Sequence, residues 1–175
     1  MSRSLKIHYI QDRLPVVYRY RQVFRWFMIL LSFMMIVYSL YFLLNFVHTE
    51  TPVFFKIMPL GICFIGLDSV LRKVTSLNSI SFMPQHLKLG YIAKRSIVIP
   101  YEDIQSLDLQ KKITFYMIIS YRDKKGELQQ LKTPASFPHI LEIMFNLAEM
   151  AEQAVIPEKM QGILEYLKAN ADNEL

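Results

Sequence analysis

The sequence has few of the residues from which catalytic and metal sites are usually built. Cys63 is the one cysteine among 175 residues and lies inside an apolar run, so an internal disulfide is excluded. The histidines fall in separate segments without metal-ligand spacing, and the glycines never cluster into a phosphate-binding loop. We therefore expect no metal, no cofactor and no catalytic residues. The histidines are His8, His48, His86 and His139.

Two long apolar runs occupy the first half of the chain. Residues 26–47 contain no charged side chain and are long enough to cross a hydrocarbon core of about 30 Å as a helix. A second run, residues 53–71, follows the short connection HTETP and is interrupted by Lys56 and Asp68. The first run is too long for a signal peptide, and no small-residue cleavage site follows it. The pattern predicts a transmembrane helical hairpin.

The two charges inside the second run have an ordinary explanation. Lys56 can extend to the outer interface, and Asp68 lies about one turn from the inner end of the helix. Both side chains can therefore reach water without having a function inside the membrane. The alternative interpretation makes Asp68 an intramembrane ion or proton site.

The charges that flank the two runs predict the orientation of the hairpin. The connection at residues 48–52 carries one acid and no lysine or arginine. By contrast, Arg19, Arg21 and Arg25 lie close before the first run, and Arg72 and Lys73 follow the second. The positive-inside rule then puts both termini in the cytoplasm. The stretch YRYRQVFRW suits anchoring at the membrane interface better than nucleic-acid binding. Its candidate interfacial side chains are Tyr18, Tyr20 and Trp26.

After Lys73 the apolar pattern changes from continuous to alternating. Six short alternating runs are separated by proline, glycine and charged turn residues, which predicts an antiparallel meander. A helix then begins near Pro138, with Ser136 available as its cap, and its apolar stripe would cover the sheet. The runs are NSISFM, HLKLGYIA, SIVIPY, IQSLDL, ITFYMIISYR and ELQQLKT. The stripe is Ile140, Ile143, Met144, Leu147, Met150, Ala151 and Ala154.

The segments SISFMPQHLKLGYIAKRSIVIPYEDIQSLDL, YRDKKGELQQL and PHILEIMFNLAEMAEQ resemble the bacterial pleckstrin-homology-like (PH-like) domain family. The strand end Ile99-Pro100 and the following run Ile104-Gln105-Ser106 carry the likeness. The resemblance implies an α+β fold, in which a two-helix transmembrane hairpin precedes a PH-like antiparallel β-barrel capped by a C-terminal amphipathic helix. It also implies a binding or scaffolding module without catalytic residues. A barrel of this family has seven strands, and the pattern supplies six.

A proline and two acids lie where one predicted strand ends and the next begins. Pro100 removes a ladder donor, and Glu102 and Asp103 suit a solvated turn. Paired carboxylates could serve as acid and base, but adjacent residues on a strand point to opposite faces, and no histidine or cysteine lies nearby in sequence. We therefore interpret residues 100–103 as a structural corner.

Two surfaces are candidates for binding. Alternate turns of a meander share one end of the sheet, so the turns at residues 93–95 and 110–112 would lie together, beside the point where the chain leaves the membrane. The expected contacts with anionic lipid are Arg72, Lys73, Lys94, Arg95, Lys111 and Lys112. In the last segment an apolar helical face either docks on the β-domain or contacts a partner. This face comprises Met160, Ile163, Leu164 and Leu167.

The sequence predicts four parts: a basic N-terminal segment (1–22), the transmembrane hairpin (23–73), a cytoplasmic PH-like domain (74–156) and a helical tail (157–175). We predict a non-enzymatic protein of the bacterial inner membrane whose PH-like domain binds or scaffolds at the membrane surface. The expected partners are membrane lipid and a protein partner or a second copy, and not nucleic acid. The alternatives are a subunit or assembly factor of a larger membrane complex, and a membrane enzyme or ion pathway that uses Asp68.

Overall fold

The structure is a computed structural model that describes residues 8–20, 22–111, 114–123 and 125–172. The chain divides into two compact units. The hairpin unit comprises residues 21–76 and 91–95, and the β-unit comprises the residues up to 20, residues 77–90 and the residues from 96 onward. The architecture is α+β, with two long apolar helices and two antiparallel sheets.

Two helices make up most of the hairpin unit: α1 (Gln22–Phe46) and α2 (Val53–Thr75). Both are long and apolar enough to cross a membrane, by length and composition. In the most apolar part of each helix only 11% of the residues are buried, whereas a core helix of a soluble domain is buried over most of its length. The two apolar runs of the sequence therefore predicted two candidate membrane spans correctly.

Small residues line the contact between the two helices. The hydroxyl groups of Ser32 and Ser69 are hydrogen bonded at 2.9 Å. Gly66 lies so close to α1 that an added Cβ would be 2.7 Å from Ile36 Cγ1. In hydrocarbon no large hydrophobic effect drives helices together. They associate instead through close packing, which small residues at the contact allow.

The first sheet contains four strands in the order β1-β2-β3-β4. These are β1 (Val16–Arg19), β2 (Leu77–Phe82), β3 (His86–Tyr91) and β4 (Ile97–Pro100). β1 runs antiparallel to β2 with Val16 opposite Phe82, and β3 runs antiparallel to β4 with Leu87 opposite Ile99. β4 ends at Pro100, as the sequence predicted. The core side chains of this sheet are Ile80, Phe82, Leu87, Leu89 and Ile99.

The second sheet contains three antiparallel strands in the order β5-β6-β7. These are β5 (Ile104–Lys111), β6 (Phe115–Arg122) and β7 (Leu128–Pro134). Gly126 closes the turn between β6 and β7 with a φ of 81°, where its N–H donates to the Asp123 carbonyl at 2.9 Å. The core side chains of this sheet are Ile104, Leu107, Met117 and Ile119.

Two helices follow the second sheet: α3 (Ile140–Met150) and α4 (Glu158–Asp172). The predicted stripe is buried at Ile143, Met144 and Leu147. Its last members, Ala151 and Ala154, lie beyond the end of α3 but are also buried. Ser136 is not the cap that the sequence predicted. The residue before α3 is His139, which has a φ of 58° and caps the helix with no side-chain hydrogen bond.

The predicted barrel is not closed. Among the described residues, the named strands pair only within their own sheet, so the β-unit holds a four-stranded and a three-stranded sheet. The chain passes from one sheet to the other at a short 3-10 turn, Tyr101–Asp103. An alternating pattern predicts strands and their buried face, but it contains no information about whether the outer strands of two sheets meet.

The strand β1 lies in a segment that the sequence analysis assigned to a basic N-terminal part outside the β-domain. Residues 16–19 instead pair with β2, so the first sheet contains a strand that the alternating runs did not predict. Tyr18, which we expected at the membrane interface, is only 8% exposed and packs edge-on against Phe82, with 5.9 Å between ring centroids. β1 has four residues and carries the basic Arg19, and its partner strand follows only after the entire hairpin.

Candidate membrane-surface site

The hairpin begins and ends at two paired strands. The Tyr20 N–H donates to the Asn78 carbonyl at 2.9 Å, which continues the β1-β2 pairing beyond Arg19. The last residue before the hairpin unit and the first strand after it are therefore neighbours in one sheet. Two neighbouring strands of the β-unit are thus the ones that lead along the chain into the two apolar helices.

A buried arginine connects the start of α1 to the end of α2. Arg25 is only 4% exposed, and its Nη2 donates to Ser76 Oγ at 2.7 Å. The Ser76 hydroxyl donates to the Lys73 carbonyl, and the Ser76 N–H donates to the Arg72 carbonyl, each at 3.0 Å. A positive charge is favourable beside the carbonyl groups at a helix C-terminus. The sequence analysis had treated Arg25 only as one of the inner flanking charges.

The loop between β3 and β4 contacts this end of α2. The Ala93 N–H donates to the Val74 carbonyl at 3.3 Å, and residues 91–95 belong to the hairpin unit. Lys94 and Arg95 on this loop are exposed, and the neighbouring Ile92 exposes 38% of its surface. The structure thus brings into one unit four of the six predicted lipid contacts, which we name the inner basic cluster. It consists of Arg72, Lys73, Lys94 and Arg95.

The two remaining predicted contacts are not part of this cluster. Lys111 belongs to the β-unit, where it pairs with Phe115 on the neighbouring strand. Its Nζ lies 5.6 Å from the centre of the Phe115 ring. Lys112 lies outside the described residues. The counting of turns assumed one continuous meander, whereas Lys111 lies in the second sheet.

Asp68 has an ion-pair partner on its own helix. Its Oδ2 accepts from Arg72 Nε at 2.7 Å, and both side chains are substantially exposed. A pair four residues apart at the end of a helix is an ordinary solvated contact. This geometry matches the explanation in which Asp68 reaches water, and it gives the carboxylate no second partner within the apolar part of α2.

The corner between β4 and β5 is anchored by a tyrosine. The Tyr101 hydroxyl donates to the Met83 carbonyl at 2.9 Å, and burial raises the pKa of this phenol to about 12. Glu102 is exposed and Asp103 is half-buried on the same 3-10 turn. The described part of the chain contains no group of three or more histidine, cysteine and acidic side chains that could hold a metal ion. The corner therefore holds the chain where it changes sheets.

The sequence analysis missed a buried asparagine that fixes the N-terminal segment. Asn146 is 1% exposed on α3, and its Oδ1 accepts from the Ile10 N–H at 3.1 Å. Its Nδ2 donates to the carbonyls of His8 and Glu142, at 3.0 Å and 2.9 Å. A satisfied buried amide of this kind holds two distant segments in one arrangement. The only sequence signal was a polar residue between Phe145 and Leu147, both of which are buried.

Glu142 lies beside two ionisable rings near the start of α3. Its Oε2 is 3.1 Å from His139 Nδ1, and the His139 and Tyr18 rings lie 5.8 Å apart. Burial raises the pKa of the Tyr18 phenol well above its usual value, and the nearby Glu142 carboxylate raises it further. Tyr18 therefore stays protonated and uncharged near neutral pH, as a buried strand residue requires.

The apolar face of the tail packs inside the β-unit. Met160 and Leu167 are 1% and 2% exposed, and Ile163 and Leu164 pack with Phe145 of α3. Lys168 Nζ of α4 also lies 3.2 Å from Glu149 Oε1 of α3. This arrangement corresponds to the docking alternative, so most of the proposed partner face is covered by the chain itself.

Comparison with known proteins adds nothing to this description of the chain. No family model, no curated protein and no solved structure matches it. The likeness to bacterial PH-like domains consequently depends on the sequence stretches quoted above.

Proposed function

We propose that the protein is a non-enzymatic module of the bacterial inner membrane, whose PH-like β-unit binds or scaffolds other molecules at the cytoplasmic surface. The observation that carries this proposal is the pairing of β1 with β2 on either side of the hairpin. A domain attached by one linker has a single covalent tether to its anchor. Here β1 and β2 each lead into the hairpin, so the β-unit is tethered to the two helices through two neighbouring strands.

The same pairing supports a multi-pass topology. Residues 16–19 and 77–82 belong to one sheet, so both must lie on the same side of any membrane that the intervening helices cross. One helix then crosses the membrane and the other returns. The basic residues near both inner ends put that side, and both termini, in the cytoplasm.

The order of elements supports the PH-like assignment in part. Within the described residues there are seven antiparallel strands followed by an apolar-faced helix, which is the strand number that the resemblance implies. β1 completes this number, although the two sheets are not closed into a barrel. The proposal therefore uses the PH-like domain as a binding scaffold and assigns it no catalytic residue.

The inner basic cluster supports anionic lipid as the first partner. Lys94 and Arg95 are exposed on a loop that is bonded to the end of α2, with Ile92 exposed beside them. Basic side chains near an anionic leaflet each contribute up to about 1 kcal/mol, and the contribution fades within a Debye length. An exposed isoleucine beside these charges can enter the headgroup region.

Cleavage of the intact protein by trypsin tests the proposal. The protein is placed in nanodiscs of purely zwitterionic lipid or in nanodiscs that also contain anionic phosphatidylglycerol. We expect cleavage after Lys94 and Arg95 to be at least about fivefold slower in the anionic discs, because these side chains bind the leaflet. High salt should remove the difference.

Lys125 provides the internal control for this experiment. It is exposed in the turn between β6 and β7, so cleavage there should proceed at the same rate in both kinds of disc. Equal cleavage after Lys94 in both discs would contradict the proposal. Equal protection of Lys94 and Lys125 in anionic discs would show a general charge effect and not an oriented surface.

A further inference from the structure

A groove in the β-unit has no role in the proposed anchoring. It has a volume of about 630 Å³ and lies between the β5-β6 hairpin and the start of α4. This volume is in the range of pockets that hold small organic ligands. The lining residues are Asp108, Leu109, Gln110, Lys111, Phe115, Pro157, Lys159, Met160 and Ile163.

The floor of the groove is apolar. Met160 is buried at its base, whereas Leu109 and Ile163 are only half-buried and keep apolar surface open. Phe115 exposes 46% of its surface at one side. Met160 and Ile163 of the predicted partner face thus line this groove, and Ile163 also packs, with Leu164, against Phe145 of α3. Apolar surface left open beside a groove is available for a hydrophobic ligand.

The rim of the groove is predominantly basic. Lys111 and Lys159 are exposed, and Lys111 Nζ lies 5.6 Å from the centre of the Phe115 ring, which orients the ammonium group over the groove wall. The one acidic residue of the lining, Asp108, accepts a hydrogen bond from Gln110 Nε2 at 2.9 Å. The two lysines outnumber this one carboxylate, so the lining as a whole favours an anion.

We propose that this groove binds a single-chain anionic amphiphile, such as a fatty acid, with its acyl chain on the apolar floor and its charged group between Lys111 and Lys159. The charges at the rim select an anion, and the floor selects an aliphatic body. The membrane as the source of this ligand rests on the proposed function. The binding itself does not, because every lining residue belongs to the β-unit.

Photo-crosslinking on the full-length protein in nonionic detergent tests this site. The probe is a twelve-carbon fatty acid with a diazirine near the end of its chain, and the adducts are mapped by peptide mass spectrometry. We expect adducts in peptides that contain Leu109, Phe115 or residues 157–163. The Lys111→Gln/Lys159→Gln variant should lower this yield by about two- to thirtyfold, as two weak ion pairs predict.

Two controls distinguish binding in the groove from a general effect of charge or of the acyl chain. The Lys125→Gln/Lys132→Gln variant removes the same charge from exposed positions outside the groove, and it should label as the natural protein does. The alcohol with the same chain and diazirine should label the groove much less than the acid. Thermal melting of both variants checks that they fold.

Three outcomes would overturn the inference. Adducts confined to α1 and α2 would show partition into the apolar helices. Equal labelling by acid and alcohol, or equal losses in both double variants, would show that the rim lysines select nothing. None of these outcomes affects the trypsin experiment, in which Lys111 and Lys159 are not measured.

Discussion

The hairpin unit and the β-unit are built in opposite ways. In α1 and α2 the buried residues are mostly small or polar, among them Ser32, Ser39 and Gly66, while phenylalanine, leucine, isoleucine and methionine side chains are exposed along both helices. In the β-unit the buried residues are mostly large and apolar, such as Phe82 and Phe145. The first arrangement suits a hydrocarbon solvent and the second suits water. Substitutions should therefore destabilise the two units by different mechanisms.

A charge in the core of the β-unit should have the largest effect. Leu147 is fully buried, so Leu147→Asp leaves an unpaired carboxylate without water and should lower the free energy of unfolding by at least about 4 kcal/mol. The intact chain is required, because a fragment that begins at residue 75 lacks β1. Proteolysis should then degrade the β-unit while carbonate extraction leaves the hairpin in the membrane. The exposed change Gln130→Asp is the control, and unchanged protease resistance of Leu147→Asp would contradict the assigned core.

The packing of the hairpin can be tested at two glycines of the same helix. Gly66→Leu places atoms where a Cβ alone would already lie 2.7 Å from Ile36, and should cost about 2–3 kcal/mol. Gly61→Leu is the matched control, because an added Cβ there meets nothing within 4 Å. The measurement is unfolding in sodium dodecyl sulfate, followed by the fluorescence of Trp26, the only tryptophan. Equal effects of both changes would contradict the described contact between the helices.

The amide that holds the N-terminal segment should have a smaller effect. Asn146→Ala removes hydrogen bonds to both His8 and Ile10 and leaves a buried N–H unpaired, which should cost about 1–2 kcal/mol. Hydrogen exchange at Ile10 should become faster, while exchange in β6 changes only with the global stability. Asn45→Ala is the control, because Asn45 is exposed and its amide bonds only to the Tyr41 carbonyl of its own helix. Unchanged exchange at Ile10 would refute the role of Asn146.

The smallest effect is expected at the ion pair of α2. Asp68→Asn removes an exposed pair and should change the free energy of unfolding by less than about 0.5 kcal/mol. Anionic-lipid protection of Lys94 should persist, because the change removes no basic residue. Loss of a proton or ion flux through proteoliposomes on this substitution would instead support the ion-pathway alternative.

The parts of the fold that sequence patterns predicted are those held by local periodicity. Uncharged length predicted α1 and α2, alternation predicted β2 to β7, and the apolar stripe predicted α3. The sequence analysis did not predict β1, because a four-residue strand is too short to show an alternating pattern and its partner strand follows only after the hairpin. The cap of α3 at His139 was also not predicted, because its φ of 58° depends on the surrounding contacts and not on the local sequence.

The candidate sites divide in the same way. Arg72 and Lys73 were identified as flanking charges, and the counting of turns added Lys94 and Arg95. The Ala93–Val74 hydrogen bond ties the loop that carries Lys94 and Arg95 to the end of α2. Counting turns also grouped Lys111 with these residues. That count assumes one continuous sheet, whereas Lys111 lies in the second sheet. The sequence could not predict the groove, because it is lined by β5, β6 and α4, and α4 begins more than forty residues after Phe115.

The position of the hairpin between β1 and β2 has a consequence for biosynthesis. β1 leaves the ribosome before the helices, and its partner follows after about 60 residues, roughly 3–12 s later at usual rates of translation. On the proposed topology, in which both helices cross a bilayer, β1 can pair with β2 only after both helices have been delivered and the chain has returned to the same side. A chain with a misplaced helix would then keep β1 and β2 unpaired and open to cellular proteases. Correct membrane delivery would thus be a precondition for maturation of the β-unit.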